Sequence, residues 1–276
     1  MNNIAVLITC FNRCNVTRKC LTRLFALRSD IDVYCVDDNS KDGTQEMIIK
    51  EFPNVNLIIG NGNLFWNRGM RLAWEKALES PKAYEYFFWL NDDLELYPNA
   101  FDELFECLKL NNDYAIISGL VQESNSGEAI YGGHNNGSVI KANGLMNPIM
   151  NMNGNFVLVP KSVVEQIGIL DPVYHHDIGD VDYGWMALRR RIPVLSSRNY
   201  IGKTDGKLKS VHKRNRRYGT NLFHRFKFLY SPLGSNPNIT FHFFKKHKGI
   251  VVALSYYFYV HIINILPDKV YNSIFR

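Results

Sequence analysis

Two pairs of neighbouring aspartates follow apolar runs in this chain, in VYCVDDNSKDGT and in FFWLNDDLEL. Adjacent carboxylates repel each other unless a cation or a hydrogen-bond donor lies between them. A divalent ion with oxygen ligands would remove that repulsion. Because Asp also caps helices and ends strands in turns, this pattern alone leaves a metal site and a structural turn both open.

A third acidic segment, GDVDYGWMALRRRI, carries Asp180 and Asp182 where a helical pattern begins. Carboxylates are favoured at the positive N-terminal end of a helix. The segment therefore predicts a helix with two carboxylates in its first turn, and a capping role alone would explain them.

The elements that must position these groups alternate between apolar strands and helical patterns. The predicted segments are, in order, the strand Ile4–Thr9, a helix carrying Leu21, Leu24, Phe25 and Leu27, the strand Val33–Val36, the helix Thr44–Phe52, the strand Val55–Ile59, the helix Arg68–Leu78 and the strand Tyr86–Leu90. Such alternation predicts an α/β fold with a Rossmann-like, mostly parallel sheet covered by helices.

Each of the first four predicted strands ends in a polar cluster: TCFNR, DDNSKDGT, GNGN and NDD. In parallel sheets ligands bind beyond the carboxyl ends of the strands, so we expect these clusters to meet at one edge. The turn after the first strand, ITCFNRCNVT, has no glycine, and no loop ends in Gly-Lys-Ser/Thr. The dinucleotide fingerprint and the phosphate-binding loop are therefore excluded.

From about residue 115 the pattern changes to short strands separated by glycines, in AIISGLV, AIYGG, SVIKANG and NGNFVLVP. This change predicts a mixed or antiparallel section. A short helix over Val163–Ile167, the acidic helix and the strand PVLSS follow.

The chain of 276 residues, 46% hydrophobic, is large enough for one big domain or one domain with an appendage. Its five cysteines are odd in number and lack zinc-type spacing, which indicates reduced thiols in a cytoplasmic protein. MNNIAVLITC has no basic leader, so no signal peptide is expected.

Positive charge is concentrated in residues 203–227, which hold nine Lys or Arg and one Asp. Such a segment suits phosphate groups, or is a solvated helix face. A nucleic-acid partner is not expected, because no recognition helix, zinc finger or RNA-binding platform accompanies the charge.

The C-terminal tail begins KKHKG and continues IVVALSYYFYVHIINIL before Pro267. Its apolar run is at the lower limit for crossing a membrane, and it contains His261, Asn264 and Ser255. The tyrosines and lysines fit a helix in a membrane interface, and equally a helix packed on the core. We favour peripheral membrane contact.

Seven segments, in order, resemble the family 2 glycosyltransferases with a GT-A fold, particularly their rhamnosyltransferase-like branch: VLITCFNR, VDDNSKDGT, GNLFWNRGMRLA, FWLNDDLEL, NGNFVLVP, IGILDP and GDVDYGWMALRRRI. The resemblance implies a catalytic domain over residues 1–202, with a nucleotide-sugar half at 1–110 and an acceptor half at 111–202. Residues 203–276 would form a basic segment and an amphipathic helical tail.

The resemblance also implies a donor and metal site. Residues implied to hold the nucleoside-diphosphate sugar are Thr9, Phe11, Asn12, Arg13, Asp37, Asp38, Asn67 and Asp92, with Asp37 at the base. In NDD, Asp93 would bind Mg²⁺ or Mn²⁺ with Asp92 in support. His212 would add a metal or diphosphate contact.

By the same resemblance, Asp180 is the general base, although Gly179 replaces the glutamate that usually precedes it, and Asp182 is the alternative. Residues implied on the acceptor side are Trp66, in a loop facing the donor, with Asn153, Gly154 and His176. One carboxylate base without a nucleophile implies a single displacement with inversion.

The implied function is transfer of a sugar, rhamnose from dTDP-rhamnose by preference, to a glycan or lipid-linked acceptor in surface polysaccharide synthesis such as that of O-antigen. A UDP-hexose donor and a non-catalytic glycan-binding or scaffold protein remain open. A nucleotidyltransferase would open with a Gly-rich loop, which is absent here. The expected location is the cytoplasm, peripherally on the inner face of the cell membrane.

Overall fold

The structure is a computed structural model that describes residues 3–135, 137–205 and 215–275. The chain divides into two compact units. The first unit comprises Met1–His175 with Gly179–Lys207, and the second comprises His176–Ile178 with Leu208–Arg276. His212 lies outside the described residues.

The first half of unit 1 alternates strands and helices, as the sequence predicts. Its elements are β1 (Ile4–Cys10), α1 (Cys14–Leu27), β2 (Asp32–Asp37), α2 (Thr44–Glu51), β3 (Asn56–Ile59), α3 (Phe65–Leu78), β4 (Tyr86–Asn91), β5 (Glu95–Leu96) and α4 (Ala100–Lys109). The strands β3, β2, β1 and β4 lie side by side in that order and are parallel.

Their register brings the four polar clusters together. Cys10 of β1 pairs with Asp37 of β2, which pairs with Ile59 of β3. On the other side of β1, Thr9 pairs with Asn91 of β4. All four strands therefore end at the same level of one edge.

The second half of unit 1 is mixed, as its glycine-punctuated strands predict. Its elements are β6 (Ile116–Glu123), β7 (Ala129–Tyr131), β8 (Gly133–Asn135), β9 (Ser138–Val139), β10 (Asn151–Met152), β11 (Phe156–Pro160), α5 (Lys161–Ile167), α6 (Gly179–Arg189) and β12 (Val194–Thr204). Antiparallel β11 joins β4 to β6, and β12 runs parallel to β6. Among the described residues this gives one nine-stranded sheet, and β8, β9 and β10 form a small second sheet.

Helices cover both faces of the large sheet. Along β1, Val6 and Ile8 face a core that includes Leu21 and Leu24 of α1. Leu7, pointing the other way, faces a core with Trp74 of α3. Strands buried on both faces explain the continuous apolar runs of the sequence. The predicted GT-A-type α/β architecture is confirmed.

The largest differences from the predicted elements concern α3, α4 and β12. α3 begins at Phe65 instead of Arg68, so Trp66 and Asn67 lie in its first turn and not in a loop. Helix α4 was not predicted, and β12 extends beyond PVLSS to Thr204.

Unit 2 is helical in its described residues. Its helices are α7 (Leu222–Leu229), α8 (Pro237–Lys248), α9 (Ile250–Ile265) and α10 (Asp268–Phe275). Buried Arg216 donates to the Leu266 carbonyl and pairs with Asp268 at 2.5 Å, and Arg225 pairs with the same carboxylate at 3.0 Å. These bonds tie Arg216 and Arg225 to the start of the last helix. No helix in the described parts of the chain is both long and apolar enough to cross a membrane.

Candidate active site

The carboxylates of NDD lie at the end of β4 beside the arginine that follows β1. One guanidinium nitrogen of Arg13 is 2.5 Å from Asp92, and the other is 3.2 Å from Asp93. The Thr17 hydroxyl donates to the second oxygen of Asp92 at 3.0 Å. Burial raises the pKa of Asp92 although Arg13 opposes that rise. The arginine thus provides the cation that paired carboxylates need.

The chemistry of this donor set fits a divalent ion. Asp93 is partly exposed, with 36% of its side chain accessible, whereas Asp92 is buried. Carboxylate oxygens are the ligands that Mg²⁺ and Mn²⁺ prefer. Within the described ranges no cluster of three or more His, Cys, Asp or Glu side chains is placed to hold a metal. Asp93 and Asp92 could therefore supply only part of a coordination shell.

The other aspartate pair is buried and bonded to nearby loops. Asp37 accepts hydrogen bonds from the Ser40 amide at 3.0 Å, the Ser40 hydroxyl, and Gln45 Nε2 at 2.7 Å. Asp38 accepts from the amides of Gly62 and Leu64 at 2.7 and 2.8 Å. It also accepts from the Phe65 amide at 3.1 Å. A base contact by Asp37 would have to share its carboxylate with these donors.

The segment after β1 presents exposed side chains at the same edge. Phe11 is 51% exposed. Asn12 has a left-handed backbone (φ 51°), and its side-chain oxygen accepts from the Lys41 amide at 2.8 Å. The segment is therefore fixed to the loop after β2. Thr9 packs closely against Gly69 of α3, where a Cβ would overlap its hydroxyl.

Trp66 joins the NDD end of the site to the acidic helix. Its indole N–H donates to Asn91 Oδ1 at 2.7 Å, and Asn91 in turn donates to Asn155 at 2.8 Å. The far edge of the same ring lies against Gly154, so closely that a Cβ there would overlap it. The Gly154 amide donates to Asp180 at 3.0 Å.

The two carboxylates of α6 have different surroundings. Asp180 is half-buried, and its other oxygen accepts from the Val181 amide at 2.8 Å. Asp182 is 1% exposed and accepts a 2.8 Å hydrogen bond from the Tyr174 hydroxyl. Because an acceptor hydroxyl needs access to its base, Asp180 is the better candidate.

Comparison with known families decides the assignment. The profile described as Glycosyl transferase family 2 matches residues 5–168. The chain belongs to glycosyl transferase family 2. No curated protein matches the chain.

A similar solved structure supports the fold of this family 2 glycosyltransferase. It is a mannosyltransferase, PcManGT, from Pyrobaculum calidifontis, in complex with GDP-Man and Mn²⁺. The TM-score is 0.56 at 13% identity, over 95% of this chain and 70% of that one. At this identity the likeness shows the fold alone.

The resemblance implies that Asn67 of this glycosyltransferase contacts the donor, but its side chain has no exposed surface. Its side chain is fully buried and donates to the carbonyls of Asp171 and Tyr174 at 2.8 and 2.9 Å. Among the residues that the structure describes, its Oδ1 has no hydrogen-bond partner, and it points at Gly179, where a Cβ would overlap it. Asn67 thus holds the loop that leads to α6 and fills the space that a side chain at position 179 would need.

The remaining acceptor-side candidates are placed as follows. Asn153 precedes Gly154, and its buried Oδ1 finds no hydrogen-bond partner in the described part of the chain. Buried polar atoms usually have one, so this oxygen could serve a bound hydroxyl. The His176 ring is 3.7 Å from Asp177 in the short segment grouped with unit 2.

Three polar residues with hydrogen bonds in this site had no role predicted from the sequence: Thr17, Ser40 and Asn91. Thr17 lies on the buried stripe of α1 with Cys20 and Leu21. A polar residue on an apolar stripe is the signal that could have revealed it.

Proposed function

We propose that this glycosyltransferase is an inverting, metal-dependent enzyme that transfers a sugar from a nucleoside diphosphate to a glycan or lipid-linked acceptor in surface polysaccharide synthesis. The preferred donor is dTDP-rhamnose. The proposed location is the cytoplasm, peripherally at the inner face of the cell membrane. Phe11, Asn12, Arg13 and Asp37 are the proposed nucleotide contacts.

One observation carries the proposal: Trp66 contacts both the segment that carries Asp92 and Asp93 and the glycine that binds Asp180. It donates to Asn91, next to Asp92 and Asp93, and it packs on Gly154, whose amide holds Asp180. Asp180, the proposed base, and the carboxylate pair proposed to hold the cation therefore approach the same aromatic ring from its two ends. An aromatic ring between them can pack on a sugar face.

In the proposed reaction the acceptor hydroxyl oxygen attacks the anomeric carbon as its bond to the diphosphate oxygen breaks. Asp180 takes the hydroxyl proton, and the departing diphosphate keeps the bonding electron pair. Mg²⁺ or Mn²⁺, held by Asp93 and Asp92, would neutralise charge on the leaving group. Arg13 lies within reach of the same two carboxylates and adds positive charge there.

The test compares two isosteric variants on the same helix. Asp180→Asn should keep nucleotide binding and lose transfer by about 100-fold or more, since a general base contributes about that factor. Asp182→Asn keeps an oxygen for the Tyr174 hydroxyl and should retain most activity. Transfer rates and nucleotide-induced stabilisation are measured for both. Near-normal turnover of Asp180→Asn would place the base elsewhere.

A further inference from the structure

Helix α9 of unit 2 is apolar on both of its sides. Its inner side is buried through Ala253, Val260 and Ile263. On the same side Asn264 donates to the Asn215 carbonyl at 2.8 Å. The inner side therefore accounts for the packing of this helix within its own unit.

The outer side of α9 is exposed and is apolar at five positions. We call these residues the outer face: Val251, Leu254, Phe258, Ile262 and Ile265. The exposed fractions of Val251, Phe258 and Ile265 are 72%, 58% and 60%. A surface helix normally places polar residues on this side. Contiguous exposed apolar residues mark an interaction surface.

The segments that flank α9 in the chain are positively charged. Lys245, Lys246 and Lys248 end α8 just before α9, and Lys269 follows α9 on α10. The described residues 215–275 contain eight Lys or Arg and a single acid, Asp268. That acid is already paired with Arg216 and Arg225. The partner of this surface should therefore combine an apolar layer with negative charge.

We propose that the outer face of α9 binds the surface of an anionic phospholipid bilayer, with the helix lying in the interface and the flanking lysines at the headgroups. An apolar helical face with basic flanks matches the acyl boundary and the anionic headgroups of such a layer. Tyr259, at the margin of the outer face, suits the interfacial level. The proposal deepens the proposed membrane location and rests on it for its biological purpose.

A second copy of this chain is the competing occupant. A symmetric dimer presents the same patch from both subunits. Each patch here is flanked by lysines, and Asp268, the acid within the described residues 215–275, is already paired, so pairing of two copies would place like charges across the interface. The charge therefore favours a lipid surface.

The full-length protein is tested by co-sedimentation with vesicles of phosphatidylcholine alone and of phosphatidylcholine with phosphatidylglycerol. We expect binding to the anionic vesicles that weakens at high salt. Phe258→Ser with Ile262→Ser should reduce vesicle binding by about tenfold or more. The matched control, Leu110→Ser with Leu145→Ser, removes exposed apolar groups from unit 1 and should bind normally.

The nucleotide-induced rise in melting temperature is also measured on every variant. A variant that loses vesicle binding but keeps this rise has lost the membrane surface and has kept the nucleotide site. As a variant that preserves the apolar surface, Phe258→Trp should show a blue-shifted emission on adding anionic vesicles. Equal sedimentation of wild type and the Phe258/Ile262 variant, or an unshifted emission, would overturn the proposal. The proposal would also be overturned if the wild type did not bind vesicles and instead formed a concentration-dependent dimer that this double variant abolishes.

Discussion

At the scale of single residues, the site balances charge by holding Asp92 and Asp93 against Arg13. Burial makes the charged form of Asp92 costly, and the pKa of this carboxyl is raised despite the arginine. A group kept buried at such a cost is typical of sites where function outweighs stability.

Asp92→Asn should raise the melting temperature of the unliganded protein at pH 7. The raised pKa means that the folded state binds more protons than the unfolded state, so stability falls as pH rises from the ordinary carboxyl range through the folded pKa. The uncharged amide escapes that cost, keeps one oxygen to accept from Arg13, and places its N–H group where it can donate to the Thr17 hydroxyl. The gain should shrink as pH falls toward 4, as melting curves at several pH values would show.

The same variant should bind a nucleoside diphosphate with little dependence on metal. Unchanged melting temperature together with unchanged metal dependence would contradict the account of Asp92.

Residue types in the sequence indicated many side chains of this candidate site, but they did not indicate the hydrogen bonds that its buried side chains make. NDD, TCFNR and GDVDYG indicated which side chains face the sheet edge, because adjacent carboxylates after a strand are a local pattern. The burial of Asn67 and the bond from Trp66 to Asn91 were not predictable, since each depends on contacts between distant segments.

At the scale of elements, the start of α6 depends on a position without a side chain. A Cβ at Gly179 would overlap Asn67, whereas one at Gly184, five residues along the same helix, would be in ordinary contact with Met152 at 3.4 Å. The glycine at position 179 thus fits the buried asparagine beside it.

Gly179→Ala should destabilise the protein by about 1–3 kcal/mol through overpacking, and should reduce transfer more than nucleotide binding because Asp180 follows directly. Gly184→Ala, the control on α6, should be neutral or stabilising by up to about 1 kcal/mol. Chemical denaturation measures both. The cost of Gly179→Ala should fall in an Asn67→Ala background; equal cost in both backgrounds would rule out the contact as its cause.

A second element-scale bond joins α4 to β12. Glu103 accepts from the Arg198 guanidinium and the Arg198 amide, both at 2.8 Å. Burial alone would raise the pKa of Glu103, but hydrogen bonds from Arg198 and Asn199 hold it at about 2. The charged carboxylate therefore stabilises the fold above its ordinary pKa of 4.5, and this stabilisation is lost as pH falls toward 2.

Glu103→Gln should lower the free energy of unfolding at pH 7 by about 1.5–3 kcal/mol, the range for hydrogen bonds to a charged group. The difference from wild type should narrow between pH 4.5 and pH 2, as urea titrations can measure. A difference that stays constant over this range would show that the charge of Glu103 is not what matters.

Element bounds were predictable where the signal was local. Strands β1 to β4 and helix α1 follow from apolar periodicity. The first turn of α3 was not predictable in this way, because the amides of Leu64 and Phe65 at its start donate to Asp38, which follows β2. That cap comes from 26 residues earlier in the chain, so no pattern within the helix records it.

At the scale of the whole molecule, each unit has its own chemistry. Unit 1 carries the sheet, the carboxylates and the match to glycosyl transferase family 2. Unit 2 concentrates cations and exposed apolar side chains. The tail sequence left interface binding and core packing open because α9 is apolar all round, and only the structure separates its buried side from its outer face.

The most direct test of metal-dependent nucleotide-sugar transfer is a thermal-shift measurement with dTDP, UDP and GDP, each with and without Mn²⁺ or Mg²⁺. A ligand that binds only the folded state raises the melting temperature with its occupancy. We predict that one diphosphate stabilises the wild type only when metal is present, and that Asp93→Ala loses this metal-dependent rise. No stabilisation by any diphosphate, or the same rise with and without metal in both proteins, would contradict the central claim.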